Sequence, residues 1–433
     1  MPRPSVPSRT GSAHLPYNTE SMPVGLYIAV PFCRTKCSFC NFASDVFSKS
    51  AYENYVSRLI DDIAGSQRLT SELGCSLEES ADSIYLGGGT PSILEDGQLE
   101  RIFAGLRRHF TITPDAEITV ECAPGTLTPA LIDTLLRCGV NRVSLGVQSF
   151  VDHEAQSVGR LHKRSTVLEE IGRLRNSGID NISIDLIAGL PHQTKESWAF
   201  SVTETIATGV PHVSVYMLEV DADSRLGSEL IAGGARYHAH YTPDDDATAD
   251  FYQRACETLD RAGIEQYEIS NFARGDRFQD KRSRHNLKYW TRQPYIGFGV
   301  DAHSMLNSAR GPGPANSPVR FATPDSLDGY MNRAPYIVTP VSVRAALEES
   351  FFLGLRLNRG VDLEDLRIAF GGEAVEAQAS AIKECVNDGL LEQRGTSLCL
   401  TTSGRLLSNE VFSRFLVESE EETKVGTGNV NPR

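Results

Sequence analysis

The chain has 433 residues, 40% of them apolar and 23% charged, with a formal net charge of −14. This length admits two domains, or one large barrel with an appendage, around a sizeable core. The acidic balance, with no basic run, disfavours a nucleic-acid partner. No stretch reaches the roughly 18 apolar residues of a membrane-spanning helix.

Residues 1–22 are rich in Pro, Ser and Thr without an apolar core, and read as a disordered tail rather than a signal peptide. From Gly25 the sequence is GLYIAVPFCRTKCSFCNFAS. Leu26–Val30 reads as a buried strand, stopped at Pro31, which cannot donate to a ladder. Cys33, Cys37 and Cys40 follow on the loop beyond it. Ser50 to Glu53 has the pattern of a capping box, and Tyr52, Val56, Ile60 and Ile63 recur at helical spacing. A second strand, Ser83–Leu86, runs into Gly87-Gly88-Gly89-Thr90-Pro91, and Leu99, Ile102, Phe103 and Leu106 mark the inner face of the next helix.

Four more strands read as Glu117–Glu121, Arg142–Val147, Asn181–Ile187 and His212–Leu218. Helical patterns at Pro129–Arg137, Thr166–Arg175 and Lys195–Thr208 lie between them. Such alternation means parallel strands joined by right-handed crossovers. Six units are too few for a closed eight-stranded barrel, so the expected fold is α/β, an open (β/α)6 partial barrel. Its ligands should gather at the carboxyl ends of the strands. Polar residues do fall there. Glu121 ends the third strand and Gln148 the fourth, Arg160 lies in the loop beyond, and the glycine triplet suggests backbone brought close to a ligand. Asp185 sits within the apolar fifth strand, where a carboxylate is costly unless paired.

Further on, a helix from Asp244 leads into a strand at Tyr267–Phe272. Gly275–Arg284 is a charged loop, His285–Trp290 reads HNLKYW, and YIGFG forms a strand. Asn307–Pro324 reads as an exposed connection. From Val341 come helices, a hairpin turning at Gly395-Thr396, and a helix at Ser403–Leu416, together a winged-helix-like module. It lacks the clustered positive charge of a DNA binder and reads as a docking or structural unit. Residues 418–433 form a frayed tail. The expected division is a core over 23–235, an extension over 236–335 and the C-terminal module over 336–417.

The cysteine loop carries the chemistry. A structural zinc takes four ligands, and a [4Fe–4S] cube has four corners, normally one thiolate each. Three thiolates at C-x3-C-x2-C leave one iron for another ligand. S-adenosylmethionine (SAM) suits that corner, because its methionyl amine and carboxylate chelate, and an electron from the cluster can then cleave the sulfonium. A zinc loop completed by Cys75 or His109 is the other reading of the spacing. Nine cysteines, six of them scattered among apolar residues, and an oxygen-sensitive cluster suit a reducing cytosol.

C-x3-C-x2-C is the signature of the radical SAM superfamily. The chain resembles its coproporphyrinogen dehydrogenase group, and within it the HemW-type haem chaperones. The match rests on YIAVPFCRTKCSFCNF, YLGGGTPS, NRVSLGVQSF, SIDLIAGLPHQT, YEISNFAR, HNLKYW and YIGFGVDAHS. The resemblance implies a [4Fe–4S] cluster on Cys33, Cys37 and Cys40. It implies SAM beside Tyr27 and Phe39, its methionine end on Gly88, Gly89 and Thr90, with polar contacts from Glu121, Gln148, Arg160 and Asp185. Ala123-Pro124 departs from the family's usual polar residue before that proline, and Thr126 is a candidate replacement.

Two activities share these barrel motifs. The oxygen-independent oxidases, which decarboxylate coproporphyrinogen III propionates, carry a further cysteine two positions past the last cluster cysteine, where this chain has Phe42, and a longer leading segment. HNLKYW instead resembles the HNxxYW motif of the haem chaperones, with His285 as candidate haem ligand and His303 as a second. That resemblance implies a cytoplasmic protein that takes electrons from a donor and passes haem to an acceptor, meeting a membrane only through that acceptor. It does not fix whether turnover chemistry occurs. A radical SAM enzyme acting on another tetrapyrrole is the third reading.

Overall fold

The computed structural model describes residues 22–275, 280–309 and 318–416. Of the tails expected over 1–22 and 418–433, all but residue 22 lies outside them. The elements in order are β1 (Val24–Val30), α1 (Lys49–Glu72), β2 (Ser80–Gly88), α2 (Asp96–His109), β3 (Thr111–Cys122), α3 (Pro129–Arg137), β4 (Arg142–Gln148), α4 (Asp152–Ser157), α5 (Arg164–Asn176), β5 (Asn181–Ala188), α6 (Lys195–Ala207) and β6 (His212–Met217). Strands β1 to β6 are parallel neighbours in chain order. This is the partial (β/α)6 barrel expected from the alternation.

The strands are apolar nearly throughout because helices cover one face and the barrel interior the other. Leu26, Ile28, Val30, Leu86, Val120, Val143, Leu145, Ile184 and Leu186 are fully buried. So are Leu99, Ile102, Phe103 and Leu106 of α2, as their spacing predicts. The capping box at Ser50 does not form. The N-cap is Ser48, two residues earlier, and its hydroxyl pairs with that of Ser50 at 2.9 Å rather than with a backbone amide.

Next come α7 (Arg225–Ala232), α8 (Asp245–Arg261), β7 (Ile264–Glu268), β8 (Asn271–Arg274), α9 (Arg284–Trp290), β9 (Tyr295–Phe298), β10 (His303–Asn307), β11 (Pro318–Ala322), α10 (Leu327–Met331) and β12 (Ile337–Pro340). These strands extend the barrel sheet at both edges. β9 pairs in parallel with β1 and is followed by antiparallel β10, β11 and β12, while β8 and β7 add antiparallel to β6. Two sequence expectations change accordingly. The single strand at Tyr267–Phe272 is a hairpin, broken at Ile269-Ser270. The connection over Asn307–Pro324 contains β11, whose Phe321 is buried.

The remaining chain forms α11 (Val343–Gly354), β13 (Val361–Asp362), α12 (Leu363–Phe370), α13 (Gly372–Glu376), α14 (Ala379–Asn387), β14 (Leu391–Arg394), β15 (Ser397–Leu400), α15 (Thr402–Leu406) and α16 (Ser408–Ser413). A three-stranded sheet, β13-β15-β14, packs on these helices around a separate apolar core that includes Phe351, Leu366, Leu398 and Phe415. The hairpin at Gly395-Thr396 is as expected, but the last helix is two short ones, broken at Leu407. No helix among the described residues is long and apolar enough to cross a membrane.

Candidate cofactor and ligand site

A cavity of about 430 Å³ lies within the barrel. At the carboxyl ends of the strands it is bounded by Val30, Pro31, Phe42, Ala43 and Gly88; at the other end it meets His285, Asn286 and Tyr289.

The cysteine loop is fixed by backbone rather than by its own packing. Cys33 N donates to Asp45 O and Asp45 N to Pro31 O, folding the loop back on the end of β1. Ser38 N donates to Val158 O, Thr35 Oγ1 to Gly159 O at 3.0 Å, and Leu226 N to Ser38 O. The loop is thus tied to the β4–α5 connection and to α7. Phe39 packs with Val158, Ile187, Leu190 and Leu218 in a small apolar cluster of its own. Thr90 Oγ1 lies 3.6 Å from Cys33 Sγ as a hydrogen-bond donor. Burial pushes the Cys33 and Cys37 thiols up, against the pull of the Arg160 charge. Among the described residues, no three His, Cys, Asp or Glu side chains are disposed around a single ion.

The glycine triplet has a different basis from the expected one. A Cβ on Gly89 would lie 2.6 Å from Val30 O and 2.7 Å from Phe32 O, and one on Gly87 would meet Tyr85 and Glu121. These two glycines let β2 approach its neighbours. Gly88, with φ +96°, is the one that lines the cavity.

Glu121 and Tyr85 form one flank, joined by a 2.8 Å hydrogen bond from the tyrosine hydroxyl. Burial, reinforced by the Asp185 charge, raises the Glu121 carboxyl to about 7. Asp185 is paired as its position requires: Ser144 Oγ lies 3.2 and 3.1 Å from its two oxygens. Burial raises it as well, with the Arg142 and Arg160 charges opposing. Gln148 adopts φ +67°, which turns its side chain at the end of β4. Gly146 leaves room beside it, since a Cβ there would come within 3.1 Å of both Arg160 and Gln148. Gln148 Oε1 and Arg160 Nε are buried without a hydrogen-bond partner among the described residues, although such atoms are normally satisfied. A buried acceptor and a half-buried guanidinium beside thiols and carboxylates fit a zwitterionic nucleoside with ribose hydroxyls. Thr126 does not join them; its hydroxyl is engaged by Ser92 and Ala123 O.

The HNLKYW segment is α9, and it plugs the amino-terminal end of the barrel. Lys288 pairs with Asp82 at 2.8 Å and donates to Pro23 O, while His285 N donates to Glu117. Gly25 makes room, since a Cβ there would lie 2.8 Å from Lys288 Cδ and 3.2 Å from His285 Cε1. His285 is buried, its Nδ1 paired with Ser83 Oγ at 3.0 Å and its Nε2 with Tyr289 at 2.8 Å. Burial, then the Lys288 charge, lowers it to about 3, so the ring is neutral. Both ring nitrogens are engaged, and iron would have to displace one partner. His303 is the opposite case. It lines the cavity with its side chain 70% exposed, and its Nε2 is 3.6 Å from Asp301. Sequence reasoning missed the aromatic lining, which Tyr85, Tyr216, Tyr289 and Tyr295 share with Tyr27. Alternation along β2 and β6 marks two of these as inward-facing.

Fold and site together define a radical SAM protein, and the model of the radical SAM superfamily matches residues 27–202. A domain of this class carries SAM and a [4Fe–4S] cluster. The HemN C-terminal domain model matches residues 341–407. The chain is 31% identical to the heme chaperone HemW of Bacillus subtilis over 395 residues, 90% of this chain and 99% of that one. It is 29% identical to the HemW of Escherichia coli over 92% and 99% of the two chains. The solved structure of Escherichia coli coproporphyrinogen III oxidase (HemN) shares the fold, with a TM-score of 0.77, 22% identity, and 93% and 92% coverage. The chain belongs to the HemW family.

Proposed function

We propose that this chain is a cytoplasmic haem chaperone, holding a [4Fe–4S] cluster, SAM and haem and passing haem to an acceptor protein. The observation that carries the reading is the lining of the cavity within a chain of the HemW family. Tyr27, Gly88 and Glu121 line it, with Asp185 and Arg160 near enough to act on the Glu121 carboxyl, and Phe42, 61% exposed, and the open ring of His303 face it as well. Ligand pockets typically enclose about 300–1,000 Å³, so about 430 Å³ suits one nucleoside and leaves a porphyrin to bind at the mouth.

Cys33, Cys37 and Cys40 would ligate three irons of the cluster; when bound, cluster and SAM supply an electron and a cleavable sulfonium. Arg160 offers its guanidinium to the methionyl carboxylate, and Gly88, Gly89 and Thr90 shape the methionine end. Tyr27 and Phe39 flank the nucleoside, and Glu121, Gln148 and Asp185 take its hydroxyl and amine protons. His303 presents an imidazole to haem iron without breaking an internal bond; His285 does so only after releasing Tyr289 or Ser83. The electron donor is an external reductant, and membrane contact comes only through the acceptor.

Anaerobic haem titration of the cluster-reconstituted protein tests this. A Soret shift that saturates at one haem, and weakens at least tenfold in His303→Ala, is expected. An unchanged spectrum in the wild type defeats the reading. Loss in His285→Ala alone transfers the ligand to α9. Oxidative decarboxylation would appear as protoporphyrinogen when the reduced protein meets SAM and coproporphyrinogen III, and haem opening as iron release with SAM consumption; neither product is expected.

A further inference from the structure

Four of the chain's ten histidines gather outside the cavity, on α4 and on the connections beyond β5 and α7. His192 Nε2 lies 3.3 Å from His238 Nδ1. The His153 ring packs edge-on against His192 with centroids 4.7 Å apart, and His240 lies tilted against Tyr241 at 4.1 Å. Tyr241 in turn lies 4.2 Å from the His192 ring. His153 and His240 are exposed, and the central pair is half-buried.

Two features separate this group from a chance surface cluster. His192 and His238 both hold left-handed backbone, φ +66° and +61°. Outside glycine such backbone is uncommon, with Asn, Asp and His the types that adopt it most, and it concentrates at ligand clamps and other functional positions. The surroundings hold both in place. His192 N donates to Tyr241 O at 2.9 Å. The Glu229 carboxylate accepts from Tyr237 N and Ala239 N, on either side of His238. The second feature is the nitrogen separation. Two imidazole nitrogens on one tetrahedral zinc, each at about 2.0–2.1 Å, stand about 3.3–3.4 Å apart. In the absence of a cation the same separation accommodates an N–H···N hydrogen bond between the two rings.

We propose that His192 and His238 form a binding site for a borderline divalent transition cation, with Zn²⁺ as the type ion, flanked by His153 and His240. All-nitrogen ligation selects that class over Mg²⁺ or Ca²⁺. No three such side chains close around one point among the described residues, so solvent or a rotated His153 completes the coordination.

The test is calorimetric titration with ZnCl₂ of the full-length protein, its cluster reconstituted and its iron content measured. His192→Asn and His238→Asn are compared with the wild type, because asparagine accepts left-handed backbone. The wild type should bind Zn²⁺ at an affinity that each variant weakens at least tenfold, with unchanged iron content and visible spectrum. Zn²⁺ should also raise the wild-type Tm and leave that of the double variant unmoved. Should His192→Asn lose iron, His238→Asn, on a loop remote in sequence from the barrel strands, carries the test alone. Identical titrations in the wild type and the double variant, or no Zn²⁺ uptake by the wild type at micromolar concentration, would overturn the site.

Discussion

Tyr85 donates its hydroxyl to Glu121 across 2.8 Å, tying the end of β2 to the end of β3 beside Gly88. The bond favours the ionised carboxylate, yet burial dominates and the folded carboxyl titrates at about 7. In the unfolded chain the group loses its proton near its ordinary value of about 4.5. Between these two values the folded state binds more protons, so stability contributed here falls as pH rises from about 4.5 to 7. Urea midpoints across that range should show the decline in the wild type and a flatter profile in Glu121→Gln. Parallel profiles would assign the slope to other groups.

Arg160 brings a guanidinium to the site, and its Nε has no partner among the described residues. A charge-assisted hydrogen bond is worth about 1.5–3 kcal/mol. Arg160→Gln should therefore weaken SAM binding about 10–100-fold with iron content retained. Equilibrium dialysis with labelled SAM measures it, and an affinity equal to the wild type would remove Arg160 from the contact set.

Gly89 is confined by backbone oxygens from two residues of the strand end that leads into the cysteine loop. Since neither Val30 O nor Phe32 O can swing aside like a side chain, Gly89→Ala should cost about 1–3 kcal/mol and lower iron retention. Gly97, where an added methyl would meet nothing within 4 Å and the position is an ordinary helical one, supplies the control. Gly97→Ala should be neutral or slightly stabilising. Equal losses in both variants would refute the steric account.

The Lys288–Asp82 pair is 1% and 21% exposed at its two side chains. Removing one partner of a buried pair typically costs about 3–5 kcal/mol, and replacing both costs far less. Lys288→Met should therefore destabilise strongly, with Asp82→Asn in the same chain recovering part of the loss. Chemical denaturation of the two variants checks it, and additive losses would show that the charges are not coupled.

Much of this was legible in the sequence because βα alternation leaves apolar runs at regular intervals, and the polar residues that interrupt their carboxyl ends stand out. Asp185 is an example: its neighbours Ile184 and Leu186 are fully buried, and the carboxylate needed a partner that Ser144 provides. Three-dimensional placement was less legible. HNLKYW has the chemistry of a ligand motif, but its role as a barrel plug depends on Gly25, far earlier in the chain and uninformative until Lys288 is seen against it. β11 was hidden because prolines and glycines beside it lowered the local strand signal, while pairing with β10 and β12 sets the outcome. The histidine group escaped notice because its members come from one short helix, α4, and two connections distant from it in the chain.

α9 gives the barrel a blind end. On the function proposed above, nucleoside and porphyrin share a single doorway, and the molecule is loaded like a quiver: what goes in first comes out last. Handover of the tetrapyrrole would then be the step that frees the nucleotide to exchange, so SAM release rates measured with and without haem should differ even if no bond is ever cleaved.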